Sequence, residues 1–125
     1  MYARAAKVYR QVDLDSASKP QILDRLYLRF LRDCQEATDA IAKRDIAAKA
    51  AAINHASQIV IELVAALDHE LAPDLCGNLA ALYDYVLDGL GQANMQNDPA
   101  YLEQCSALMS QLREAFQEAD RVAPK

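Results

Sequence analysis

Two histidines, His55 and His69, three cysteines, Cys34, Cys76 and Cys105, and 18 acidic residues are the groups in this 125-residue chain that could ligate a metal, attack a carbonyl or move a proton. Their spacing supports none of these chemistries. Paired metal ions in helical bundles sit on Glu-x-x-His motifs, whose carboxylate and imidazole project from one helix face. Three residues before His55 and His69 stand Ala52 and Ala66 instead. His69-Glu70 opens an H-E pair, but Pro73 occupies the position where a zinc-protease helix carries its second histidine. The two histidines are separated by about 20 Å of helix, too far to share an ion. The cysteines are odd in number, lack C-x-x-C spacing and lie among apolar residues at helical intervals, the setting of buried thiols in a reducing compartment. No nucleophile elbow, P-loop or dinucleotide fingerprint occurs. The chain is therefore read as a non-enzyme without metal or cofactor.

The elements that would position any site are helices. With only 3 Gly and 4 Pro, the chain is punctuated at Pro20, Pro73 and Pro99, where apolar periodicity starts or breaks. Ser18-Lys19-Pro20-Gln21 reads as a capping box opening the first helix, with an inward stripe of Leu23, Leu26, Phe30, Cys34, Ala37 and Ile41. A short break at Lys43-Arg44-Asp45 returns the chain antiparallel. The second stripe is Ile46, Ala50, Ile53, Val60, Leu63, Leu67 and Leu71, with the next connection at Leu71-Ala72-Pro73-Asp74. The third is Leu75, Leu79, Leu82, Val86, Leu90 and Ala93. Asn97-Asp98-Pro99 then caps a fourth helix aligned on Leu102, Cys105, Leu108, Leu112, Ala115 and Ala119. The expected fold is all-α: an antiparallel four-helix bundle over residues 18–121, preceded by a short N-terminal arm (1–17) and followed by a short tail (122–125).

Charge narrows the function classes. Residues 1–50 hold ten Lys/Arg against seven Asp/Glu, whereas residues 51–125 hold three against eleven, and Ala50 through Leu112 contain no basic residue. Arg25, Arg29 and Arg32 make a stripe on the first helix, but Asp24, Asp33 and Glu36 interrupt it and no aromatic residues interleave as in single-strand binders. A solvated face is expected, and no nucleic acid. The opening MYARAAKVYRQV lacks a continuous apolar core, and the apolar run near residues 59–67 is broken by Glu62, so neither a signal peptide nor membrane insertion is expected. The expected compartment is the cytoplasm.

The second helix carries more apolar surface than one inward stripe needs, sixteen of the twenty-two residues from Ile46 to Leu67. Ala52, Ala56, Ile59, Leu63 and Ala66 make a second stripe of small residues, which reads as a groove for an amphipathic partner helix. Greater enclosure, or a homodimer, explains the same excess. On the third helix Tyr83, Leu87 and Asn94 fall about 100° from the core stripe. Gly89 and Gly91 each cost helix stability, by up to about 1 kcal/mol relative to Ala, a cost understandable where another backbone comes close.

The string NLAALYDYVLDGLGQANMQND resembles the most distinctive segment of the flagellar secretion chaperone FliS family, through Asn78, Leu79, Leu82, Tyr83, Tyr85, Leu90, Ala93, Asn94, Asn97 and Asp98. Tyr2 and Tyr9, Leu26-Tyr27, AINHASQIVIELVAALD and LREAFQEA extend the resemblance over nearly the whole chain in the family's order. The resemblance implies a bacterial cytosolic four-helix chaperone that binds the C-terminal helical segment of flagellin. It would prevent premature polymerisation and keep its client competent for flagellar type III export, with the export gate as a further candidate partner. Carried over, the client-binding residues are Ile53, Ala56, Ile59, Val60, Leu63, Leu79, Leu82, Tyr83, Leu87 and Asn94, and Tyr2 and Tyr9 form an N-terminal plug that client displaces. A monomer or weak homodimer follows. The alternative is a self-associating helical adaptor with no flagellin client. Two departures from the family's pattern are Leu28-Arg29 after Tyr27, where Asp-Gly is frequent, and Phe116, where tryptophan is frequent.

Overall fold

A computed structural model describes residues 19–122, with side chains described for residues 21–119. It contains α1 (Lys19–Lys43), α2 (Ile46–Ala65), α3 (Pro73–Gln96) and α4 (Pro99–Val122), and no extended strand among the described residues. Each helix packs on two neighbours around a ring: α1 on α2 and α4, and α3 on α2 and α4. Short connections between consecutive helices produce this antiparallel order. The Ser18 cap and the N-terminal arm lie outside the described residues.

Local chemistry explains most boundaries. Asp45 caps α2 by accepting from the Ala48 N–H at 3.0 Å, while Arg44 takes the left-handed conformation (φ 58°) that turns the chain. Asn97 ends α3 in the same conformation (φ 52°), and the Asp98 carboxylate accepts from the Ala100 N–H at 2.9 Å. One boundary differs from the sequence expectation. α2 stops at Ala65, not near Leu71, because the chain tightens at Ala66 and Leu67 and then turns on Asp68. The Asp68 carboxylate accepts from the Glu70 and Leu71 N–H groups, and its carbonyl accepts from the Cys76 thiol. Leu71 is consequently exposed, and Pro73 opens α3 instead of sitting in the connection.

Leu23, Phe30, Cys34 and Ala37 of α1, Ile53, Val60 and Leu63 of α2, Leu79, Val86, Leu90 and Ala93 of α3, and Leu102 and Cys105 of α4 are buried as expected, with a slight rotation of the inward faces at the remaining positions. On α1 Tyr27 and Ala40 are buried where Leu26 and Ile41 were expected, and both of the latter are half-buried. On α3 Cys76 and Tyr83 replace Leu75 and Leu82, and on α4 Met109 and Phe116 replace Leu108 and Ala115. Ile46 and Ala50 face outward. Tyrosines cause part of this rotation: the Tyr27 and Tyr83 hydroxyls share a buried hydrogen bond of 2.6 Å linking α1 to α3 across the bundle. Phe116 closes that layer, its ring 5.8 Å from that of Tyr27.

Candidate functional site

The residues expected to bind a partner helix divide sharply by burial. Ile53, Ala56, Ile59, Val60 and Leu63 of α2, with Leu79 and Tyr83 of α3, are all buried and belong to one continuous core. The two apolar stripes of α2 are both used internally, since α2 packs on α1 along one flank and on α3 along the other. A depression between α1 and α2 still reaches this stripe, with Leu26, Arg29, His55, Gln58, Ile59 and Glu62 among its lining residues. Leu82 is half-buried and lies seven residues before Gly89, on the flank of α3 that faces α4. Leu87 is half-buried and Asn94 exposed. Tyr2 and Tyr9 lie outside the described residues.

Large hydrophobic side chains are also left exposed elsewhere on the bundle. Leu28, Ile46, Ile61, Leu71, Leu75, Tyr85 and Met95 are the large hydrophobic side chains left in solvent among the described residues. Six of these seven belong to α2, α3 or their connection, and only Leu28 to α1. The flanks can be oriented from contacts. His55 bonds Asp33 of α1 and Gly89 faces Cys105 of α4, so the opposite flanks of α2 and α3 face each other. Helical periodicity places Ser57, Ile61 and Val64 on that flank of α2, and Ala80, Leu87 and Gly91 on that of α3. These small and aliphatic residues line the seam between the two helices.

The glycines sharpen this picture. A Cβ at Gly89 would stand 2.7 Å from the Cys105 sulfur, so this glycine is required by the α3–α4 packing. At Gly91 a Cβ would meet nothing within 4 Å, and the same holds at Gly77. Gly91 therefore costs α3 stability with no return inside the fold, and it leaves bare backbone on the α2-facing flank.

Electrostatics separates the two sides of the bundle. Asp33 is buried on α1 and receives Arg29 Nε at 3.1 Å and the His55 imidazole. Arg113 of α4 clamps Asp24 of α1 at 2.8 Å, and Arg32 pairs with Glu36. Every ion pair among the described residues involves α1, and none joins α2 to α3. The basic stripe is largely an internally paired helix face. Among the described residues no group of three or more His, Cys, Asp or Glu side chains is placed to hold a metal ion, and no helix is long and apolar enough to cross a membrane. Burial pushes the Cys34 thiol up to about 12, with Cys105 and Asp33 adding to the rise against a hydrogen bond with Ser106. Burial, with the Asp88 charge, pushes Cys105 up to about 11. Both thiols are thus poor nucleophiles.

The family model "Flagellar protein FliS" matches residues 1–123. The chain is 32% identical to the flagellar secretion chaperone FliS of Salmonella typhimurium, across 98% of this chain and 93% of the relative. It is also 32% identical to FliSB of Pseudomonas aeruginosa, across 93% and 96%. With FliS of Escherichia coli it shares 30% identity, across 95% and 92%.

Proposed function

The chain belongs to the FliS family of flagellar proteins, and on that premise we propose that it is a cytoplasmic export chaperone for the C-terminal helical segment of a flagellin. Flagellin's terminal segments are amphipathic and assemble by burying their apolar faces, so a chaperone must offer a competing apolar surface. The observation that carries the reading is the exposure of Ile46 and Ile61 on the α3-facing flank of α2, opposite Leu87 and a glycine, Gly91, whose missing Cβ would meet nothing in the fold. An amphipathic segment laid there would cover Ile61 and Leu87 and pass close to Gly91. Small residues along the seam tolerate varied side chains, and the absence of ion pairs between α2 and α3 leaves the face easy to dehydrate. Holding that segment keeps the subunit from polymerising and in a state the flagellar type III export gate can accept.

The test is calorimetric titration of the protein with the C-terminal segment of a flagellin from the same cell, with circular dichroism of the mixture. One-to-one binding, a gain in helicity and a negative heat-capacity change are expected. Absence of heat, together with a concentration-dependent dimer in sedimentation, would assign the same face to a second copy of the chain.

A further inference from the structure

Lys49 is 6% exposed, a buried cation in the first turns of α2. Its ammonium donates to the Asn94 carbonyl at 2.9 Å and to the Asn97 side-chain oxygen at 2.6 Å. Both acceptors are neutral, and no carboxylate of the described residues reaches ion-pairing distance. A buried charge is ordinarily matched by an opposite one. The C-terminus of α3 supplies only about half an elementary charge.

A pocket opens beside this ammonium at the end of the bundle where the α1–α2 and α3–α4 turns meet. Lys49, Arg44 and Asn97 line it together with the aliphatic Ala40, Ile41 and Ile46. Asp45 also lines it, but its carboxylate is engaged by the Ala48 N–H, and two cations outweigh it. The turn is preformed, with the Asp45 N–H on the Ala40 carbonyl at 2.9 Å and the Arg44 N–H on the Ile41 carbonyl at 3.1 Å. Ile46, 72% exposed, is shared between the pocket and the apolar α2–α3 side, and Met95, 73% exposed, lies in the last turn of α3 at the same end.

We propose that this pocket takes the terminal carboxylate of the peptide client, with an aliphatic side chain near the chain end against Ile41 and Ile46. The inference rests on the client reading above. Two donors, a third polar group and adjoining aliphatic walls suit a chain end, which brings its carboxylate and a nearby side chain together with no onward backbone to accommodate. The ligand anion supplies the opposite charge that Lys49 lacks.

The probe is a synthetic peptide of the last forty or so residues of that flagellin, made as free acid and as C-terminal amide and titrated against the full chain. The free acid should bind about tenfold tighter, the scale of a charge-assisted hydrogen bond. Arg44→Gly should abolish most of that difference while preserving the fold, because glycine suits the φ of 58° at this position. Equal affinity of acid and amide for the wild-type chain overturns the pocket and leaves the client reading intact. So does a preference that moves with an internal Asp or Glu of the peptide and ignores the chain end. If neither peptide binds, the client reading fails and the pocket assignment goes with it.

Discussion

The bundle has two unlike sides. α1 and α4 are amphipathic helices whose outer faces are polar and whose contact is tied by Arg113 and Asp24. α2 and α3 are apolar over much of their circumference, share no ion pair and leave Ile46, Ile61 and Met95 in solvent. A protein selected only to fold has no use for this asymmetry, since exposed apolar surface contributes nothing to stability and promotes association. The first side holds the scaffold together, and the second offers what the scaffold presents.

The comparison breaks most visibly at Ile59. Because Ile59 is buried, Ile59→Asp is expected to cost about 3–5 kcal/mol and unfold much of the population, as a denaturant melt will register. A folded Ile59→Asp chain with weakened client binding would instead place the client on the α1–α2 side, where Ile59 reaches a surface depression. On the exposed face, Ile61→Asp should leave the melt within about 0.5 kcal/mol of wild type. Its client affinity should fall tenfold or more, by about 1.4 kcal/mol. The matched Leu28→Asp on α1 should change neither, and equal losses from the two would dissolve the distinction between the sides.

The glycines give a smaller effect of opposite signs. Gly89→Ala forces a Cβ onto the Cys105 sulfur and should destabilise by about 1–3 kcal/mol. Gly91→Ala should stabilise the chain by up to about 1 kcal/mol while slowing or weakening client capture. Matching stability changes from the two would mean that Gly91 also has a role inside the fold.

The scaffold side also has a pH response, where Cys34 of α1 meets Cys105 of α4. Both thiols keep their protons in the folded state to higher pH than in the unfolded chain. Their contribution to stability is therefore complete below pH 9 and is lost as pH rises toward about 11 and 12. Chemical denaturation at pH 8 and pH 10 should show the decline, and Cys34→Ala should flatten it. An unchanged slope in the variant would mean that other groups govern the alkaline limit.

Four helices, their order and most of their ends were legible in the residues, because caps and prolines act on their own neighbours. Asp45, Asp98 and Pro99 set their turns with bonds that span three residues or fewer. Asp68 escaped notice because an aspartate inside an apolar run competes with helix only when its carboxylate turns back on the following N–H groups. The family resemblance was legible for a similar reason, being carried by contiguous strings.

Tertiary structure alone decided the finer rotation of each helix. Leu23, Phe30, Leu79 and Val86 keep their expected places, but successive side chains differ by 100°, so the choice between Leu26 and Tyr27, or Leu82 and Tyr83, moves the centre of the inward face. That choice is made by the sum of contacts with two neighbouring helices and by the Tyr27–Tyr83 bond between residues 56 apart in sequence. The same long-range packing separated Gly89 from Gly91, took the α2 stripe into the core and brought Lys49 to the end of α3. Local sequence determines where a helix begins and ends, whereas its rotation is a property of the assembled bundle.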